Sequence, residues 1–88
     1  MRRETAVVQN KHGFHLRAVT AIVKALQEFT SEVTVSKDGI KRNGRSVLDL
    51  MLLEATEGTA LTIEVTGDDE NEAILRILEL FVARFGEE

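Results

Sequence analysis

One short segment combines the residue types that phosphoryl-transfer chemistry uses. It runs from Asn10 to Ala18 and places His15 two residues after a glycine and two residues before Arg17. An apolar pattern of helical period follows, so His15 is predicted to be the first residue of a helix. A helix N-terminus offers unpaired N–H groups and the positive end of the helix dipole to an anion, and a nearby guanidinium can grip phosphate oxygens. The segment therefore indicates a phosphohistidine site.

His15 is the candidate nucleophile and Arg17 the candidate phosphate ligand. Histidine suits the first role because its side chain, with an ordinary pKa of about 6.5, supplies a neutral ring nitrogen near neutral pH. The alternatives are a surface histidine that only caps the helix and a solvated arginine. His12 lies three residues before His15. Two histidines alone are too few ligands for a zinc site, so we expect no metal and no other cofactor.

The composition predicts a small cytoplasmic protein that does not bind nucleic acid. The chain has 88 residues, enough for one domain over residues 1–88, and its net charge of −4 disfavours contacts with a phosphate backbone. It contains no cysteine for disulfides or thiol chemistry, no apolar leader and no apolar run long enough to enter a membrane. The residues of the one close group of cations are predicted to decorate an exposed hairpin: Lys37, Lys41, Arg42 and Arg45.

The hydropathy pattern of the first half predicts three strands and a helix. Residues 4–8 form a short strand, and apolar residues recur every three or four positions from Leu16 to about Phe29, which predicts a helix. Two strands follow, around residues 33–36 and 40–42. The Asp38-Gly39 pair between them is typical of a type I′ hairpin.

The second half predicts a short helix, a strand and a final helix. The short helix covers about residues 45–53, and Ser46 followed by Asp49 resembles a capping box. Thr59–Thr66 alternates as a strand, and Gly67–Glu70 is predicted to cap the last helix. The apolar stripe of that helix contains Ile74, Ile77, Leu78, Phe81 and Phe85.

The predicted order of elements is therefore β-α-β-β-α-β-α. Four strands with one apolar face need a layer of helices on one side, which predicts an open-faced α/β sandwich. If the first and second strands were neighbours in one sheet, the right-handed crossover rule would make them parallel. The residues themselves leave the strand order open.

Two motifs in this order resemble those of the HPr family, the histidine-containing phosphocarriers of the bacterial phosphoenolpyruvate-dependent sugar phosphotransferase system. They are Gly13-Phe14-His15-Leu16-Arg17 and Asn43-Gly44-Arg45-Ser46-Val47, with further matches at Gly58 and at Gly67–Glu70. The similarity covers essentially the whole chain. It implies an α+β open-faced β-sandwich, in which three helices cover one face of a four-stranded antiparallel sheet and the first two strands are not adjacent.

The resemblance implies a phosphocarrier without turnover of its own. His15 would accept a phosphoryl group on its pros nitrogen (Nδ1) from phosphorylated enzyme I and donate it to a sugar-specific acceptor protein. Arg17 would stabilise the phosphate. Ser46 matches the position that a dedicated kinase phosphorylates in many members from Gram-positive bacteria, although a serine N-cap needs no regulation to explain it.

Two residues depart from the family's pattern, because Leu16 stands where a small residue is usual and Ala18 where proline is usual. Neither changes the nucleophile or the arginine, but Leu16 enlarges the apolar surface beside the histidine. A regulatory paralogue therefore stays open as an alternative, in a nitrogen-related branch or as a co-effector controlled by phosphorylation of Ser46. A third alternative is a small α/β scaffold with a capping histidine.

An apolar docking surface is predicted next to His15. The short second helix contains apolar residues at nearly every position and cannot bury them all. The residues predicted to stay exposed are Val47, Leu48 and Met51, together with Leu16 and Thr20. Exposed patches of this kind usually mark protein-binding sites. We expect a monomer that meets enzyme I and acceptor proteins here, with a Ser46 kinase or phosphorylase as a further candidate partner.

Overall fold

Four strands form one antiparallel sheet in the computed structural model of the protein, which describes residues 1–87. The elements are β1 (Arg2–Val7), α1 (Leu16–Leu26), β2 (Glu32–Lys37), β3 (Ile40–Asn43), α2 (Val47–Leu52), β4 (Ala60–Thr66) and α3 (Glu70–Val82), followed by a 3-10 turn (Arg84–Gly86). The strand order is β1-β4-β2-β3. Because β4 pairs with both β1 and β2, those two strands run parallel without being neighbours. The first two strands are therefore not adjacent, as the family resemblance implied.

One face of the sheet is apolar and is covered by the three helices. Alternate residues of β2 and β4 point into a single core, which also holds the buried sides of α1 and α3. The strand residues concerned are Val33, Val35, Leu61, Ile63 and Val65. Burying a side chain of this size contributes roughly 1.5–3 kcal/mol, so this alternation fixes which face the helices cover.

The opposite face of the sheet is open and polar. At its centre Glu64 forms ion pairs with Arg3 on one neighbouring strand, at 2.9 Å, and with Lys41 at 3.7 Å. The hydrogen bond from Arg3 is the main reason why the pKa of Glu64 lies below its ordinary value. The predicted open-faced sandwich is therefore confirmed. The predicted type I′ hairpin is confirmed as well, since Asp38 and Gly39 both have positive φ angles, of 53° and 82°.

The sequence predicted that Arg45 decorates the exposed hairpin, and this is wrong. The Arg45 side chain caps the C-terminal end of α1 instead. Its guanidinium donates hydrogen bonds to the carbonyl oxygens of Leu26 at 2.8 Å, Phe29 at 2.7 Å and Ser31 at 2.7 Å. The Leu26 carbonyl also accepts from the Phe29 N–H at 3.0 Å, and Phe29 and Ser31 lie beyond the helix, so the arginine ties the last carbonyl of α1 to the turn that leads into β2. The helix accordingly ends at Leu26 and not near Phe29.

Lys37, another member of the predicted cationic group, also acts on a helix end. Its Nζ donates to the carbonyl oxygen of Leu53, 3.0 Å away, just beyond α2. A cation at this position is favourable because the carbonyl end of a helix is negative. The predicted cationic group therefore does not act as one unit. Arg45 and Lys37 bind carbonyl groups at helix ends, and Lys41 pairs with Glu64 on the open face of the sheet.

The start of α3 differs in detail from the predicted cap. Asp69 is the N-cap residue, but its side chain makes no capping hydrogen bond. Its carboxylate instead accepts from the backbone N–H groups of Thr30, at 2.8 Å, and Ser31, at 3.0 Å, and from the Ser31 hydroxyl. These bonds, that of the Ser31 hydroxyl above all, hold the pKa of Asp69 below its ordinary value. Asp69 thus ties the α1–β2 turn to α3.

The end of α3 also differs from the prediction. The helix stops at Val82, and Phe85 lies in the following 3-10 turn, where both Arg84 and Phe85 have φ angles of 54°. The ring of Phe85 still packs in the core, with centroids 5.9 Å from Phe14 and 5.1 Å from Phe81. This left-handed turn sends the chain back toward the start of α1. No helix within residues 1–87 is long and apolar enough to cross a membrane.

Candidate functional site

The loop before α1 is held in place by its backbone and by Gly13. Asn10 is fully buried, and its Nδ2 donates to the carbonyl oxygen of Gly13 at 2.7 Å. Phe14 donates its N–H to the carbonyl of Ala55 at 2.9 Å. Gly13 has a φ of 63°, and a Cβ there would overlap the Ala55 carbonyl oxygen. A glycine is therefore required at this point, and the loop delivers His15 to a fixed position.

His15 is the N-cap residue of α1, so the helix begins at Leu16, one position after the first helical residue that the sequence predicted. Its backbone is extended, with φ −80° and ψ 170°, and its side chain makes no capping bond. The first hydrogen bond of the helix runs from Val19 N to His15 O, at 3.1 Å. The N–H groups of Leu16, Arg17 and Ala18 therefore have no carbonyl partner within the helix. The ring itself is 35% exposed, open enough for another protein to reach.

Glu87 holds one nitrogen of the His15 ring. Its Oε2 lies 3.2 Å from His15 Nε2 and accepts from Asn10 Nδ2 at 3.2 Å, while its Oε1 accepts from the His12 backbone N–H at 3.0 Å. Burial raises the pKa of Glu87, but the hydrogen bonds from Asn10, His12 and His15 outweigh it, so the pKa lies below its ordinary value. A neutral imidazole that donates Nε2–H to this carboxylate keeps its lone pair on Nδ1.

A small cavity lies beside the ring. It has a volume of about 120 Å³ and is lined by His12, His15, Arg17, Phe85 and Glu87. The structure thus brings the two histidines and the arginine of the sequence motif together. Among residues 1–87 no carboxylate forms an ion pair with Arg17. A space of this size suits a small anion, since organic ligands and cofactors usually occupy 300 Å³ or more.

Glu87 is the site residue that the sequence did not reveal. It lies outside the predicted elements, and nothing in its local pattern distinguishes it from the other surface acids. No group of three or more His, Cys, Asp or Glu residues within residues 1–87 is arranged to bind a metal ion.

Ser46 lies away from the ring, at the start of α2. Its Oγ accepts from the Asp49 backbone N–H at 3.2 Å, as the predicted cap requires. The reciprocal bond of a capping box is absent from the described residues, because the Asp49 carboxylate accepts from Asn43 N–H at 3.1 Å instead. Gly44 precedes this cap because a Cβ there would overlap the Val33 side chain.

Exposed apolar side chains follow the surfaces of α1 and α2, which pack against each other. Of the five residues predicted to be exposed, four are, and Val47 is partly buried against the core. Leu52 is exposed as well, beside the β2–β3 hairpin. The predicted apolar side chains that are exposed on α1 and α2, called the apolar surface below, are Leu16, Leu48 and Met51. Thr20 is exposed on α1 as predicted.

An open-faced sandwich with an accessible histidine at the N-cap of its first helix defines the class of histidine-containing phosphocarrier proteins. The family model described as "PTS HPr component phosphorylation site" matches residues 2–83. The chain belongs to the HPr family.

Curated relatives cover nearly the whole chain. The phosphocarrier protein HPr of Xylella fastidiosa is 38% identical over 82 residues, which are 93% of this chain and 92% of that protein. The phosphocarrier protein NPr of Escherichia coli is 31% identical over 87 residues, 98% of this chain and 97% of that protein. The similarity thus extends to both named branches of the family.

Solved structures agree with this placement. HPr-C-His from Thermoanaerobacter tengcongensis superposes with a TM-score of 0.95 at 35% identity, over 100% of this chain and 99% of that one. An HPr dimer from the same organism matches with a TM-score of 0.79 at 34% identity, over 99% of this chain and 100% of that one.

Proposed function

We propose that this protein carries a phosphoryl group on Nδ1 of His15, taking it from phosphorylated enzyme I and passing it to an acceptor protein of the phosphotransferase system. The observation that carries the proposal is the contact between His15 Nε2 and Glu87 at 3.2 Å. With Nε2–H donated to this carboxylate, the lone pair of Nδ1 is available as the nucleophile on a partly exposed ring. A carrier that works with enzyme I is expected in the cytoplasm.

The transfer is an in-line displacement at phosphorus. The Nδ1 lone pair attacks the phosphorus of the donor, and the bond from phosphorus to the donor atom breaks as the new P–N bond forms. The ring then carries positive charge, which the Glu87 carboxylate offsets through Nε2–H. The unpaired N–H groups at the start of α1 and the Arg17 guanidinium stabilise the phosphoryl oxygens. Donation to the acceptor reverses these steps.

The apolar surface supports a role in docking. Leu16 follows His15 directly, and Leu48 and Met51 are exposed on the neighbouring helix. A partner that covers these side chains would bring its own phosphoryl-bearing group to the ring. We propose that the carrier acts as a monomer, because this surface has to be free when enzyme I or an acceptor binds.

Phosphorylation by enzyme I tests the function. Incubation of the full chain with enzyme I and phosphoenolpyruvate should add one acid-labile phosphoryl group, detected by mass spectrometry of the intact protein. His15→Ala should abolish the label while the circular dichroism spectrum stays unchanged, and Lys24→Gln on the far end of α1 should leave the label intact. An alanine variant that still gains an acid-labile phosphoryl group would overturn the proposal.

The similarity to NPr favours a second candidate, service in a nitrogen-related branch of the system. The E. coli NPr matches over 98% of this chain. The rate of His15 phosphorylation distinguishes the two branches. It is measured with enzyme I of the sugar system and with the corresponding enzyme of the nitrogen branch. The faster donor identifies the branch.

Ser46 is proposed as a regulatory site. Its side chain is half-buried at the N-cap of α2 and is followed within two positions by the exposed Leu48. A phosphate on Ser46 would put about two negative charges beside the apolar surface and would impede an apolar or acidic partner. Ser46→Asp should therefore slow phosphorylation of His15 by enzyme I, whereas Ser46→Asn, which keeps a capping side chain without the charge, should not. Equal rates for both variants and the wild type would rule this control out.

A further inference from the structure

His12 is the one titratable residue lining the cavity to which the proposed transfer assigns no task. It lies in the loop before α1 with an exposed side chain, and its ring centroid is 6.2 Å from that of His15 at an interplanar angle of 79°. Its place is fixed by the backbone, because its N–H donates to Glu87 Oε1 at 3.0 Å. The imidazole is therefore available for a different role, and side-chain substitution leaves the Glu87 contact intact.

We propose that His12 is a proton-sensitive positioning residue of the phosphohistidine site, whose imidazolium form stabilises the phosphoryl group on His15. This inference rests on the proposed function. It states that the phosphorylated protein binds a proton at His12 more tightly than the unphosphorylated protein does. By linkage, protonation of His12 must then favour the phosphorylated state by the same factor.

The charges around His12 set the size of the effect. The charged and titratable side chains that line the same cavity are His15 and Arg17 from α1 and Glu87 from the C-terminal turn, and Lys11 precedes His12 in its loop. Transfer brings nearly two negative charges on the phosphoryl group and one positive charge on the His15 ring, a net gain of about one negative charge at a distance comparable with the 6.2 Å between the rings. In an exposed site and at ordinary ionic strength, Coulomb's law then predicts a change in proton affinity of about threefold to tenfold.

The direct test follows the His12 ring resonances by NMR while the pH is varied. The titration is recorded for the full chain before and after phosphorylation by enzyme I. We expect phosphorylation to move the midpoint of the His12 titration to higher pH, by an amount that corresponds to a threefold to tenfold increase in proton affinity. The proposal is overturned if His15 is phosphorylated and the proton affinity of His12 changes by less than about twofold. Failure of His15 to become phosphorylated would instead overturn the proposed function.

A variant series separates charge from structure. The equilibrium constant for phosphoryl transfer from enzyme I is measured at pH 5.5 and pH 8 for the wild type, His12→Asn, His12→Lys and the control Lys24→Gln. Relative to His12→Asn, the wild type should favour the phosphorylated state by about threefold to tenfold at pH 5.5 and should equal it at pH 8. His12→Lys should keep the advantage at both pH values, and Lys24→Gln should follow the wild type. A ratio of wild type to His12→Asn that does not change with pH overturns the proposal.

Discussion

The carboxylate of Glu87 lies 3.2 Å from Nε2 of His15, although 72 residues separate the two in the sequence. The contact exists because Arg84, Phe85 and Gly86 all have positive φ angles and turn the chain back toward α1. Phe85 anchors that turn in the core. The orientation of the candidate nucleophile therefore depends on the packing of the C-terminal turn.

Replacing Glu87 should slow phosphorylation without unfolding the protein. Glu87→Gln can either accept from or donate to Nε2, so it no longer favours the tautomer with a free Nδ1. We expect the rate of His15 phosphorylation by enzyme I to fall about threefold to tenfold, the equivalent of one net hydrogen bond. Rapid-quench kinetics measure the rate, with the exposed Glu28→Gln as control. Equal rates for the two variants would show that Glu87 does not position the ring.

Charge on the apolar surface should weaken docking. Leu48 is 68% exposed on α2, so Leu48→Asp should leave stability unchanged and raise the enzyme I concentration needed for half-maximal rate by about tenfold or more. Leu75→Asp is the matched control, because Leu75 is 60% exposed on α3. Steady-state kinetics of phosphorylation compare the two. If both variants behave alike, the partner does not use the face of α2.

An alanine at position 13 should destabilise the loop that carries His15. Gly13→Ala combines a positive φ with overlap of the Ala55 carbonyl, and we expect a loss of about 2–4 kcal/mol. Gly39→Ala shares the positive φ, but nothing lies within 4 Å of its Cβ, so it should cost only about 1–2 kcal/mol. Urea unfolding measures both. Equal losses would show that the close approach to Ala55 does not constrain the loop.

Acid should remove the stability that Asp69 supplies. Its pKa in the folded protein is below the ordinary value of 3.8, mainly because the Ser31 hydroxyl donates to it. Its contribution is therefore fully present above pH 3.8 and is lost as the pH falls below that value. Asp69→Asn should lower the urea midpoint at pH 7 and show a shallower further loss toward pH 2.

Two comparisons check the Asp69 prediction. The exposed Asp68→Asn should keep the wild-type midpoint at pH 7. Some acid dependence should remain in Asp69→Asn, since the pKa values of Glu64, Glu70 and Glu87 are lowered too. An Asp69→Asn variant whose midpoint tracks the wild type at every pH would contradict the assignment.

Local patterns in the sequence were sufficient to predict the order and type of the elements. The period of three to four in α1, the alternation in β4 and the Asp38-Gly39 turn all reflect interactions within a few residues. The Ser46 cap is of the same kind. Strand order is different, because it depends on pairing between distant segments, and the family resemblance indicated only that the first two strands are not adjacent.

The errors at polar residues share a physical cause. Arg45 lies next to the hairpin in sequence, but its guanidinium contacts carbonyls 14 to 19 residues away. Asp69 lies at a helix start, but a better set of donors comes from a turn 38 residues earlier. Glu87 reaches the site only after a left-handed turn. The hydrogen-bond partners of these polar side chains are close in space but distant in sequence, so neither periodicity nor local spacing predicts them.

The ring nitrogen that bears the phosphoryl group shows whether Glu87 directs phosphorylation to Nδ1 of His15. Protein labelled with ¹⁵N in its histidine rings is phosphorylated by enzyme I and phosphoenolpyruvate, and the P–N coupling is observed by NMR. We expect the coupled nitrogen to be Nδ1 of His15. Coupling to His15 Nε2, or a phosphoryl group on any other residue, would contradict it.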